Sequence, residues 1–125
     1  MFIEMLKTKI HRATVTGADL NYSGSLTLDE NLMNAAGLLE YEKIQVLDIT
    51  NGSRIETYVI RGERGSGEVC INGAAAHLIH EHDLVIIVSY CRLNDLEARD
   101  HTPLIVHVNG KNQVTRKSEK ESALV

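Results

Sequence analysis

The chain has 125 residues, 43% of them apolar and 24% charged, which is the size and make-up of one globular domain and too short for two. Its 17 acidic side chains against 13 basic ones give a formal net charge of -4, which excludes the basic stripe a nucleic-acid partner would need. The most apolar run, residues 84–88, is far shorter than the roughly 20 residues that span a bilayer, and Glu4 and Lys7 interrupt any N-terminal signal segment. A cytoplasmic location with no membrane partner is therefore expected.

Bulk is scarce: there is no Trp, one Phe and four Tyr, so the core must come from Val, Ile, Leu and Ala. In chain order, β-type runs rich in Val, Ile, Thr and Tyr fall at residues 2–7, 11–16, 44–49, 55–60, 68–71, 84–90 and 104–108. Asp29 is placed to cap a helix over 30–36, with Leu32, Met33 and Ala36 on one face and Gly37 as its left-handed stop. Thr50-Asn-Gly-Ser53 separates two of the runs and predicts a tight hairpin. Short helical turns are expected at 74–79 and 95–99. From Lys111 onward the chain is polar and charged, offers no apolar face, and is expected to be disordered over 111–125. Many short strands with little helix to cover sheet edges predict a mainly β fold closed into a small barrel over residues 1–110. Such a barrel has no roomy interior, so a substrate site belongs at its mouth or between subunits.

Residue chemistry narrows the options. Gly62-Glu-Arg-Gly-Ser-Gly67 resembles a phosphate loop, yet no Gly-Lys-Ser/Thr follows it and it joins strands instead of opening a helix. His77, His80 and His82 cluster without the order or supporting ligands of a metal site, so no metal is expected. Cys70 and Cys91 read as buried thiols, not as a disulfide or a metal pair. Gly-Ser occurs at 24–25, 52–53 and 65–66; only the first lies between a strand-like segment and a helix cap.

That first pair sits in Lys9-Ile-His-Arg-Ala-Thr-Val-Thr-Gly-Ala-Asp-Leu-Asn-Tyr-Ser-Gly-Ser-Leu-Thr-Leu-Asp29. This segment resembles the N-terminal signature of the pyruvoyl-dependent L-aspartate 1-decarboxylases. Further matches follow in order: Thr50-Asn-Gly-Ser-Arg-Ile-Glu-Thr-Tyr58, Glu63-Arg-Gly-Ser66, Ile71-Asn-Gly-Ala-Ala-Ala-His77 and Asp83-Leu-Val-Ile-Ile87. The resemblance covers about the first hundred residues. It implies a double-psi β-barrel that cuts itself between Gly24 and Ser25, into chains 1–24 and 25–125, and converts Ser25 to a pyruvoyl group. No metal and no pyridoxal phosphate is implied. The pyruvoyl ketone would form a Schiff base with L-aspartate, release the α-carboxylate as CO2 and yield β-alanine for pantothenate synthesis.

By the same resemblance, Tyr58 matches the family's proton donor, and Lys9, Arg54, Thr57 and the backbone of Gly73, Ala74 and Ala75 match substrate-contacting positions. Thr57 would also hydrogen-bond the Gly24 carbonyl, while His11, Tyr22 and Asn72 match supporting positions. A homotetramer with sites between protomers is implied, and some family members need a maturation-assisting protein. Glycine at position 24 is expected to permit a strained backbone before the cut. One departure is His82, where the family usually has Gly; a left-handed turn there would carry strain of order 1 kcal/mol. The alternatives are an unprocessed barrel acting as a binding or assembly module, and a pyruvoyl decarboxylase for another amino acid.

Overall fold

A computed structural model describes residues 1–120. The strands are β1 (Phe2–Thr14), β2 (Gly17–Asp19), β3 (Ser25–Asp29), β4 (Lys43–Asp48), β5 (Arg54–Gly62), β6 (Val69–Asn72), β7 (Leu84–Asn94), β8 (Leu104–Val108) and β9 (Val114–Ser118). Two short helices, α1 (Glu30–Ala36) and α2 (Asp95–Asp100), and one 3-10 turn (Gly73–His77) complete the fold. The order across the sheet is β2-β6-β3-β5-β4-β7-β1-β8-β9. Because β2 continues the path of β1 after two residues, that order returns to the same stretch of chain. Backbone bonds seal the return: Thr16 N–H donates to Val69 O at 2.8 Å, and Val15 N–H to Asp83 O at 2.9 Å. The result is the small, mainly β barrel with few helices that the sequence predicts. β8 and β9 extend from it on the β1 side.

Alternation along the strands fills the interior. Ile10, Val15, Leu26, Leu28, Ile44, Val46, Val59, Val69, Ile71, Val85 and Ile87 are buried, and Leu32 and Met33 of α1 pack on the same cluster. No aromatic ring belongs to this core among the described residues. The helix signals are realised: the Asp29 carboxylate accepts from Asn31 N–H at 2.8 Å, and Gly37 closes α1 at φ 69°. The same carboxylate also accepts from Gly65 N–H at 2.9 Å and Gly67 N–H at 2.8 Å. The loop that resembles a phosphate cradle therefore turns its donors on an anion of its own chain.

Several expectations are corrected. The runs at 2–7 and 11–16 form one strand, because register shifts after Leu6 and Ile10 absorb the break, with Arg12 at φ 64°. The hairpin between β4 and β5 spans residues 49–53, with only Gly52 of the Asn-Gly pair at positive φ, since the Asp48 carboxylate takes the N–H groups of Thr50 and Asn51 and widens the loop. The segment 74–79 winds as a 3-10 turn that starts one residue earlier. Both cysteines are free and half-buried, not buried. The polar tail is ordered through residue 120: β9 needs no apolar face because it pairs its backbone with β8, and buried Asn112 clamps it by donating to Thr14 O and Gly67 O at 2.8 Å each. Residues 121–125 of that expected tail lie outside the described residues.

Candidate active site

Ser25 opens β3, and its side chain is 2% exposed. Asn72, the last residue of β6, stands directly opposite in the antiparallel register. Its amide Nδ2–H donates to Ser25 Oγ at 3.0 Å and to Thr27 Oγ1 at 2.9 Å, while the Cys70 thiol donates to Asn72 Oδ1 at 3.5 Å. Ser25 Oγ in turn points its hydrogen at Ser23 O, 3.5 Å away. Leu26, Leu28, Val69 and Ile71 face the core, so period-two alternation puts Ser25, Thr27, Cys70 and Asn72 together on the other face. Thr27 and Cys70 are absent from the family signature's functional positions. The signal that finds them is their spacing, two residues from Ser25 and from Asn72.

Beside this cluster lies the Gly24–Ser25 bond. Gly73 has φ 75°, and a Cβ there would come within 2.8 Å of Gly24 Cα, 2.9 Å of Gly24 N and 3.1 Å of Tyr22 O. The strained, close-fitting glycine is thus Gly73. Gly24 is not in the left-handed region, and a methyl group on it would meet nothing within 4 Å, which corrects the expectation of strain at Gly24. Tyr22 is exposed on the loop that carries Gly24. Ala74 is exposed and Ala75 half-buried in the 3-10 turn that follows Gly73.

β5 runs parallel to β3 with Val59 opposite Leu26, which places Thr57 and Tyr58 on the strand next to Ser25. Arg54, Glu56 and Tyr58 are exposed and share the outer face; Thr57, opposite Ile44, alternates with Ile55 and Val59 to the other side. The Tyr58 ring packs 6.3 Å from that of Tyr41. Lys9 lines a shallow hollow of about 220 Å³ with Leu6, Leu47, Ile86, Val88 and Tyr90. Leu47 pairs with Arg54; along the sheet Lys9 on β1 sits three strands from Arg54, and across the β2–β6 closure β1 lies two strands from Ser25 on β3. The His11 ring lies 5.7 Å from that of His107. Burial, then the Arg116 and Lys9 charges, lower the His107 pKa. The chain therefore gathers Tyr22, Gly24, Ser25, Asn72 and Gly73, with Tyr58 on the adjoining strand, while Lys9 and His11 both lie toward His107.

The family model for aspartate decarboxylase matches residues 1–115. The chain belongs to that family. An aspartate 1-decarboxylase of Caldicellulosiruptor bescii is 59% identical over 121 residues, covering 97% of this chain and 94% of the relative. One from Corynebacterium efficiens is 61% identical over 114 residues, covering 91% and 84% respectively. Among the described residues no group of three or more His, Cys, Asp or Glu side chains could hold a metal ion, and no helix is long and apolar enough to cross a membrane.

A carboxyl pair, buried Asp48 and half-buried Asp83, lies at the other end of the β4–β5 hairpin. Asp48 is 3% exposed, and its Oδ2 is sealed from solvent with no donor. Burial, then the neighbouring Asp83, raises the Asp48 pKa, whereas the hydrogen bond from Asp48 lowers that of Asp83. Asp48 is thus the member of the pair that holds a proton to the higher pH.

Proposed function

We propose that this chain is a self-cleaving, pyruvoyl-dependent aspartate 1-decarboxylase that makes β-alanine for pantothenate synthesis in the cytoplasm. The observation that carries the reading is a buried Ser25 hydroxyl, held by Asn72 and joined to a Gly24 whose backbone is pressed against Gly73. These residues fit a pyruvoyl group at position 25, because a Cβ on Gly73 would fill the space in which the cut is made. In cleavage, Ser25 Oγ adds to the Gly24 carbonyl carbon; the hydroxyl proton passes to the Ser25 nitrogen as the C–N bond breaks, and the amide becomes an ester. Thr57, one strand away, is assigned to the Gly24 carbonyl oxygen as it gains charge. Loss of the Ser25 Cα proton, with Oγ departing as part of the Gly24 carboxylate, leaves dehydroalanine. Addition of water and loss of ammonia complete the ketone.

That ketone supplies an electrophile for the substrate's amine and a sink for the electron pair released with CO2. Arg54 offers two parallel N–H donors to a substrate carboxylate and Lys9 a compact charge, and Tyr58 O–H delivers the proton that replaces CO2. Gly73, Ala74 and Ala75 contribute backbone contacts, with His11 and Tyr22 in support. A small closed barrel has no roomy interior, and the resemblance assigns the complete site to the seam between copies, as in a homotetramer. Intact-mass measurement tests the reading: chains 1–24 and 25–125 should replace the full chain, with the larger one lighter by ammonia than hydrolysis alone would leave it. Ser25→Ala should abolish cleavage and β-alanine formation, and Tyr58→Phe should permit cleavage while slowing turnover. Decarboxylation by Ser25→Ala, or a full-length chain that persists even in a cell extract containing any maturation-assisting protein, would refute it.

A further inference from the structure

We propose that Thr27 and Cys70 are positioning residues for cleavage of the Gly24–Ser25 bond, acting through the side-chain amide of Asn72. The inference rests on the self-cleavage reading above. Asn72 is 3% exposed, so no bulk water competes for its amide. A primary amide can lie either way round in such a slot, and the way it lies decides whether Ser25 Oγ meets a donor or an acceptor. Here both amide hydrogens are used, one on Ser25 Oγ at 3.0 Å and one on Thr27 Oγ1 at 2.9 Å. The oxygen is used too, taking the Cys70 S–H at 3.5 Å.

The two flanking residues form a directly opposed cross-strand pair, Thr27 on β3 and Cys70 on β6. They hold the amide by its two ends. Burial, with the charges of Glu68, Asp19 and Glu81 behind it, raises the Cys70 pKa and keeps the thiol protonated, as a donor must be. Reversal of the amide would put Oδ1 against Ser25 Oγ, pull the serine hydrogen away from Ser23 O and remove the donor from Oγ. That donor faces the atom whose bond to Cβ breaks when the ester eliminates, where Oγ leaves with the electron pair as part of the Gly24 carboxylate. A fixed N–H at that position favours departure.

The test uses the full chain, isolated before cleavage and followed by intact mass, with Tm recorded for every variant. Thr27→Val keeps the shape and loses the acceptor; Thr27→Ser keeps the hydroxyl. Thr27→Val should cleave about threefold to tenfold more slowly, the effect of one hydrogen bond on a rate, and Thr27→Ser should restore the rate. Cys70→Ala should be slowed and Cys70→Ser restored. Because the effect runs through the amide, Thr27→Val should add nothing in an Asn72→Ala background. Wild-type cleavage by Thr27→Val, failure of Thr27→Ser to rescue at unchanged Tm, or an undiminished effect without Asn72 would overturn the proposal. If Thr27→Val does not fold, the two Cys70 variants decide: equal cleavage by both overturns it. A wild-type chain that never cleaves overturns the functional reading and this proposal together, whereas normal wild-type cleavage with indifferent variants overturns this proposal alone.

Discussion

Gly73→Ala isolates the contact that shapes the cleavage loop. The backbone at Gly73 has φ 75°, a region where an L side chain costs about 1–2 kcal/mol. The added methyl would lie 2.8 Å from Gly24 Cα, although carbon atoms rest near 3.5–4.0 Å apart. Either the turn or the Gly24 segment must therefore move by about 1 Å. A misplacement of that size costs about 100-fold in a reaction that depends on near-attack geometry. Gly73→Ala should accordingly lower Tm by roughly 5 °C and slow cleavage by about two orders of magnitude. Gly24→Ala supplies the stability control: its methyl meets nothing within 4 Å, so its Tm should match the wild type. Thermal melts of uncleaved protein and an intact-mass time course measure both quantities. A Gly73→Ala chain that cleaves at the wild-type rate would refute the reasoning, because the contact would then not govern the geometry of the bond.

Two further outcomes test the rest of the fold. The Asp48 pKa is raised in the folded state, so the folded chain holds this proton to higher pH than the unfolded chain does, and the stability it contributes is lost as pH rises through the folded-state value. Asp48→Asn keeps the acceptor for Thr50 and Asn51 N–H and supplies a permanent donor toward Asp83; denaturant titrations should show it gaining stability over wild type as pH rises through the folded-state value, and an equal pH slope in both proteins would contradict the raised pKa. His82 occupies φ 77° while its N–H bonds Val15 O at 2.8 Å. His82→Gly should keep that bond and raise stability by about 1 kcal/mol, read as a higher Tm; a lower Tm would show that the exposed His82–Glu81 pair outweighs the strain.

Local signals carried much of this protein. Asp29 and Gly37 announced α1 because a cap and a stop act within one turn of chain, and alternating Val and Ile announced the strands because sheet faces repeat every two residues. The Gly24–Ser25 pair was legible through the order of several motifs, and His82 through the turn it occupies. What those signals lack is information about distant partners. Only the closed sheet decided that Gly73 presses on Gly24, that the loop 62–67 spends its N–H groups on Asp29, and that polar β9 is held by its backbone and by Asn112. Only strand register brought Thr27 and Cys70 to Asn72. A side chain's face follows from its neighbours in sequence. Which groups meet across that face follows from pairings between segments far apart along the chain.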